Sequence, residues 1–448
     1  MSFQIALSGL DAASTSLEVT SNNIANSRTN GFKEARAEFG DVFATSINDS
    51  SATAPGRGVR VNKIAQQFSQ GTVDFTSRNL DLAINGDGFF VLQGDDGGVE
   101  YTRAGAYSAD RDGFIVNHKL QKLQIYPAVT VNGVTNFTTG VLRDLQLPLA
   151  NSSPNQTLDV TTAINLDAAA VPPASPFVAP PADQAAVNAA VTAGTIYIPG
   201  ADEYNYSTST TVYDSLGDSH TLSMYYIQTG TPNEWHVRTL IDGFEVTNTS
   251  TAPANASGNA IQNNLLVFDS TGALDPAASG AMEIFNITFG GALPLGQSAA
   301  TSQDGIRYSI ADMTQYGGDY AVSNITQDGY ATGRLAGLDI DAEGVAFARY
   351  TNGQATALGK VALAKFNSPQ NLTKVGDTNW AESFASGQAL LGEATTSSFG
   401  SIQSGALEAS NVDLAEQLVN LITSQRAFQA NSKVVTSVDQ ILQTIINI

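Results

Sequence analysis

Apolar residues recur every seven positions at both ends of the chain. Near the start, Phe3, Leu10, Leu17 and Ile24 hold that interval, with Ala6 and Ala13 offset by three. Near the end, Leu407, Leu414, Leu421, Phe428, Val435 and Leu442 hold it through six positions, flanked by Leu418, Val438 and Ile445. A seven-residue interval keeps one stripe of a helix turned toward a partner helix, as in the seam of a coiled coil. The pattern predicts helices over 1–30 and 405–448 that meet although more than 370 residues separate them. The ten heptad residues are then the assembly seam. Two ordinary amphipathic helices covering separate cores would show the same spacing.

Between the ends the text changes to short β-prone runs such as Phe89–Leu92, Leu222–Ile227 and Ala346–Tyr350. Four Asp-x-x-Gly segments sit beside such runs, at Asp110–Gly113, Asp214–Gly217, Asp269–Gly272 and Asp341–Gly344. Asp at the first turn position can cap backbone N–H groups. Gly at the fourth can take positive φ and restart a strand. Hairpins are therefore expected on both sides of the midpoint. Five prolines between Val171 and Pro181, followed by an Ala-rich run to Gly194, read as a surface excursion, because proline donates no ladder hydrogen bond.

The expected fold is mixed and mainly β, with two or three nested β domains and paired terminal helices. The expected order starts with a helix at 1–30, a connector at 31–70 and the first piece of an outer β domain at 71–147. An inserted middle β domain follows at 148–306, carrying the Pro/Ala-rich segment 171–194. The second piece of the outer domain spans 307–395, followed by a connector at 396–404 and the closing helix at 405–448.

Composition sharpens this picture. Charged residues are 14% of the 448, against roughly 25% in an average globular domain. Amides, hydroxyls and glycine supply the remaining polarity, which suits surfaces that pack closely without desolvating charge. The net charge of -21 argues against nucleic acid and against anionic membranes as partners. Fourteen acidic residues lie between Pro148 and Ile306 against Arg238 alone, while the ends are nearly neutral. That contrast places the middle segment outermost and the ends at a packed axis. There is no cysteine, hence no disulfide framework and no thiolate metal site. The opening residues lack a basic n-region and an apolar h-region, and no run approaches the roughly eighteen apolar residues of a membrane span.

Catalytic and cofactor chemistry finds no support. Asp339–Gly344 resembles the start of a calcium loop, but Tyr350 stands where a bidentate carboxylate is required, so a hairpin turn is the expectation. Gly86–Gly88 leads into a strand rather than a helix and cannot cradle a phosphate. His118, His220 and His236 have no metal-ligand spacing, and only Trp235 and Trp380 could stack on sugars. The reading is therefore no enzyme, no cofactor, no metal and no catalytic residue.

Several runs carry a resemblance. Ala6–Leu10, Asn22–Asn26 and Thr29–Lys33, with Asn22, Asn23, Asn26, Gly31 and Phe32 as its marked residues, resemble the opening signature of the bacterial flagellar rod and hook axial proteins. Gly405–Ala415 continuing through Gln425–Asn431 is similar to that family's closing helix. Phe68–Gly71 and Leu80–Phe90 look like the start of its outer β domain. Thr314–Gly317, Gln327–Tyr330 and Gly359–Ala364 resemble the hook branch. Residues 150–205 match no pattern of the family.

The resemblance implies an extracellular subunit that polymerises with itself into a flexible, curved hollow tube, a universal joint carrying motor torque from rod to filament. It implies export by the flagellar type III apparatus without a cleaved signal. The implied partners are the hook cap protein, the hook-length ruler, the distal rod protein and the hook–filament junction protein, with no nucleic acid and no membrane insertion. A distal rod or other axial subunit is the nearest alternative, and the chain's length favours the hook. A secreted β-rich binding protein or glycan-active enzyme is the rival from another class, and it would be monomeric.

Overall fold

A computed structural model describes residues 2–42, 56–131, 134–177, 198–245, 265–276, 278–279, 306–396 and 398–446. The chain divides into two compact units. The first comprises 1–149, 335–350 and 354–448, and the second comprises 150–334 with 351–353.

In the first unit, helix α1 (Ser2–Ala25) and helix α2 (Leu414–Ile446) flank everything else in sequence. Its large sheet runs Leu335–Ile340, Val345–Tyr350, Ala355–Lys365, Lys122–Val131, Phe89–Gln93, Val99–Thr102, Asn379–Ala381 and Thr373–Gly376, with antiparallel neighbours throughout. The central strands are apolar on both faces because both faces are covered. Phe90, Leu92, Leu123, Ile125, Val361 and Leu363 enter one core, and the alternating Phe89, Val91, Tyr126, Ala362 and Ala364 enter another. Period-two alternation thus feeds two cores from the same strands.

The second unit holds a sheet in which Tyr206–Tyr213, Ser219–Gln228 and Glu234–Ile241 pair antiparallel in that order. A smaller sheet sets Asp159–Asn165 between Arg307–Ser309, in parallel, and Ala321–Gln327, antiparallel. Leu222, Met224, Tyr226, Trp235, Val237, Val160, Ile164 and Tyr308 share one core.

The four Asp-x-x-Gly segments all close as expected. Asp110, Asp214, Asp269 and Asp341 each accept from the N–H groups two and four residues on, at 2.7–3.0 Å. Their glycines sit at φ between 82° and 87°. Asp341 therefore belongs to a hairpin turn.

Several boundaries differ from the sequence reading. The strands Arg307–Ser309 and Ala321–Gln327 pair with Asp159–Asn165, so the inserted unit ends at Arg334 rather than near 306, and the second outer piece starts at Leu335. The first helix stops at Ala25 rather than near 30, because Asn26 to Gly31 turn back on themselves. The segment 31–70 is more than a connector. It contains an antiparallel hairpin, β1 (Ala35–Asp41) paired with β2 (Val59–Gln66). The segment 396–404 contains the strand Ser401–Ser404, which pairs with Leu82–Asn85.

The closing helix begins at Leu414, not 405. Asp413 caps it, its carboxylate accepting from Ala415 N at 2.8 Å and Glu416 N at 3.3 Å. Leu407 lies in the strand Ala406–Glu408, paired with Val73–Phe75, so its heptad interval to Leu414 crosses a strand and a loop. Most of the Pro/Ala-rich segment, from residue 178 onward, lies outside the described residues.

Candidate functional site, the paired ends and their buried junction

Helices α1 and α2 pack antiparallel, and the residues that meet are small or polar. Asn23 Nδ2 donates to Gln417 Oε1 at 3.2 Å, and the Ser16 and Ser424 hydroxyls hydrogen-bond at 2.8 Å. A Cβ on Gly9 would stand 2.9 Å from the Asn431 side chain. These three layers fall seven residues apart on each helix. On α1 the buried line continues through Ala6, Ala13 and Thr20. Small residues let the backbones approach, and the amide and hydroxyl layers fix the register at some cost in stability.

This arrangement reorders the expected seam. Leu421, Phe428 and Val435 are half-buried and interleave with Gln417, Ser424 and Asn431, as heptad neighbours do. Leu10, Leu17 and Ile24 are half-buried one position beside the Gly9, Ser16 and Asn23 layers, so they flank the seam rather than form it. Phe3 and Leu414 are exposed at 43% and 44%. Leu407 sits in its strand, and the Leu442 side chain lies outside the described residues.

Away from these layers several large apolar side chains stay uncovered. Leu418, Val419, Ile422, Val434 and Ile441 on α2, with Ile5 and Leu7 on α1, are large and exposed. A helix that carries apolar residues away from its intramolecular partner is suited to burial by something else.

The asparagines of the opening signature have distinct tasks. Asn23, almost fully buried, stands in for a strand partner of Ala35: its Nδ2 donates to Ala35 O at 2.8 Å, and its Oδ1 accepts from Ala35 N at 3.0 Å. Asn26 Nδ2 donates to Asn22 O at 3.0 Å, closing the helix, and its Oδ1 accepts from the Thr29 hydroxyl. Gln417 also donates to Glu34 at 2.9 Å, and burial raises the Glu34 pKa above the usual carboxylate range. Asn22, Asn26 and Phe32 line a cleft with Lys374, Asp377 and Trp380.

Where the helices meet the β structure, one carboxylate gathers several segments. Glu408, fully buried, accepts from Lys33 Nζ at 2.5 Å, from Gly71 N at 3.0 Å and from Arg103 Nη1 at 3.2 Å. Lys33 Nζ also donates to Ser69 O at 2.7 Å, and Arg103 Nη2 to Gly86 O at 2.8 Å. Burial lowers the Lys33 pKa, with Glu408 pushing it back up and Arg103 lowering it further. The site thus holds two cations and one anion. Gly31 N donates to the Glu408 carbonyl at 2.7 Å, and Gly31 itself sits at φ 69°, where a Cβ would stand 2.5 Å from Ala104 N. Only glycine fits there. Asn411 completes the junction, accepting from Glu34 N at 2.8 Å and donating to Gln67 O at 2.9 Å. Lys33 and Glu408 stand inside the two signature runs, yet their pairing with each other and with Arg103 was not apparent in the sequence.

Comparison with known proteins follows the same layout along the chain. Matching family descriptions are the flagella basal body rod protein at residues 3–33, the flagellar hook protein FlgE/F/G D1 domain at 83–150, the flagellar basal body protein FlaE D2 domain at 182–330 and the flagellar basal body rod FlgEFG protein C-terminal at 403–448. The flagellar hook protein FlgE of Escherichia coli (strain K12) is 35% identical over 456 residues, with 100% of both chains covered. The chain belongs to the flagellar hook protein family.

The hook protein FlgE of Salmonella typhimurium is 36% identical over 452 residues, again with 100% of both chains covered. That of Borreliella burgdorferi is 33% identical over 468 residues, covering 99% of this chain and 98% of its relative. The crystal structure of Helicobacter pylori flagellar hook protein FlgE2 aligns with 75% of this chain and 100% of its own at 15% identity and a TM-score of 0.48. A hook subunit is a structural protein of an extracellular, motility-related assembly, and this chain folds mainly as β structure with its terminal helices paired. Among the described residues no helix is long and apolar enough to cross a membrane.

Proposed function

We propose that this hook subunit polymerises through the outward face of its paired terminal helices, forming the wall of a flexible hollow tube that carries torque from rod to filament. The observation that supports it is the division of labour on α2. Gln417, Ser424 and Asn431 are used within the chain, and Leu418, Val419, Ile422, Val434 and Ile441 are left exposed. Covering each half-exposed side chain is worth on the order of 1 kcal/mol, and the gain is repeated in every copy. The partners of this reading are further copies of the chain, the hook cap protein, the hook-length ruler, the distal rod protein and the hook–filament junction protein. Export through the flagellar type III apparatus belongs to the same reading.

Val419→Asp tests it. The residue is 63% exposed, so the isolated protein keeps its helicity and melting behaviour. In a tube the same carboxylate is buried without a partner, at several kcal/mol per copy. The expected result in negative-stain microscopy is wild-type tubes and no variant tubes. Normal tubes from the variant contradict the assignment.

A further inference from the structure

We propose that Lys33, Arg103 and Glu408 form a charge lock that holds the N-terminal connector off the sheet until the C-terminal arm arrives. The geometry carries it. Lys33 follows the first helix, Arg103 follows the sheet strand Val99–Thr102, and Glu408 lies in the strand leading to α2. The two cations converge on opposite oxygens of one carboxylate, with side-chain exposures of 0% for Lys33, 5% for Arg103 and 0% for Glu408. Without Glu408, docking the connector would bury two like charges side by side, which a low-dielectric interior disfavours strongly.

Glu408 comes 375 residues after Lys33 and 305 after Arg103. The chain up to residue 407 of 448 therefore holds both cations and lacks the group that neutralises them. Once Glu408 docks, it draws in Lys33, Arg103 and Gly71 N, while its carbonyl takes Gly31 N. One residue thereby fastens the segment after α1, and its own strand before α2, to the sheet. The two signature runs are, on this reading, the two halves of one lock.

The test is amide hydrogen exchange on the full chain at Gly31 and Glu34, whose N–H groups are held by the Glu408 carbonyl and the Asn411 side chain. Breaking a buried charge pair from one side predicts at least about 100-fold faster exchange at both amides in Glu408→Gln. Lys33→Met added to Glu408→Gln removes the repulsion and recovers at least about tenfold of that change. Lys33→Met alone leaves one cation on one carboxylate, and exchange stays as slow as in wild type or becomes slower. Unchanged exchange in Glu408→Gln overturns the lock. So does a double variant as fast as the single one, which would show that lost hydrogen bonds rather than charge open the site. Faster exchange in Lys33→Met alone overturns it independently of whether Glu408→Gln folds.

Discussion

His220 shows what a single side chain contributes here. It stands between two turns of the second unit, its Nδ1 2.6 Å from Asp242 Oδ2 and its Nε2 3.8 Å from the fully buried Asp214. The hydrogen bond to Asp242 raises its pKa above the ordinary histidine value. Burial opposes the rise, and the charges of Asp242, Asp214 and Asp218 add to it. The folded state therefore holds the proton more tightly than the unfolded chain. The stabilisation is fully present below about pH 6.5 and is lost as pH rises through the raised folded value. Each unit contains one tryptophan, Trp235 in the second and Trp380 in the first. In a Trp380→Phe background, the Trp235 fluorescence melt should shift to lower temperature between pH 6 and pH 9, and His220→Gln should flatten that dependence. An unchanged slope in His220→Gln would assign the shift to other groups.

Legibility at this scale followed the range of the interaction. The Asp-x-x-Gly turns were readable because Asp110, Asp214, Asp269 and Asp341 bond to their own neighbours within four residues. The junction was not, because topology alone decides that Glu408, rather than another carboxylate, meets Lys33 and Arg103.

The helices illustrate the same limit among elements. Their existence and pairing were legible from seven-residue spacing, but the face was only half legible. Leucine and phenylalanine dominate any hydrophobic pattern, so Leu10, Leu17 and Ile24 stood out on α1 while the line of Gly9, Ser16 and Asn23 did not. Close packing selects small residues, and those residues look like ordinary surface text. On α2 the larger Leu421, Phe428 and Val435 are half-buried and interleave in sequence with the polar layers. This separates two substitutions that spacing alone would treat alike. Leu421→Asp puts a carboxylate into the half-buried intramolecular seam, and it should loosen the helix pair as well as abolish tubes. Val419→Asp should spare the pair, as circular dichroism of the monomer can check. Equal loss of helicity in both variants would erase the distinction between the inner and outer faces of α2.

For the whole molecule, the nested plan was visible in composition, since acidic residues concentrate in the inserted segment. Its far boundary was missed because 307–334 joins the Asp159–Asn165 strand across a long excursion. Near the two ends of 150–334, Ser152 N donates to Gly333 O at 2.8 Å. Replacing 150–334 by a short Gly/Ser linker should therefore leave the first unit's melting unchanged by Trp380 fluorescence and should still give tubes. A misfolded first unit would mean that the second is needed to fold it. A folded first unit without tubes would mean that the second is needed to build the wall.

In the proposed tube, the paired helices of one copy present exposed apolar residues to neighbouring copies. A helical reconstruction of assembled tubes at side-chain resolution measures this directly. The expected map shows the Asn23–Gln417 and Ser16–Ser424 layers within each copy, and Leu418, Val419 and Ile422 buried against the helices of adjacent copies. Tubes in which those three residues face solvent, or in which α1 of one copy pairs with α2 of another, would contradict it.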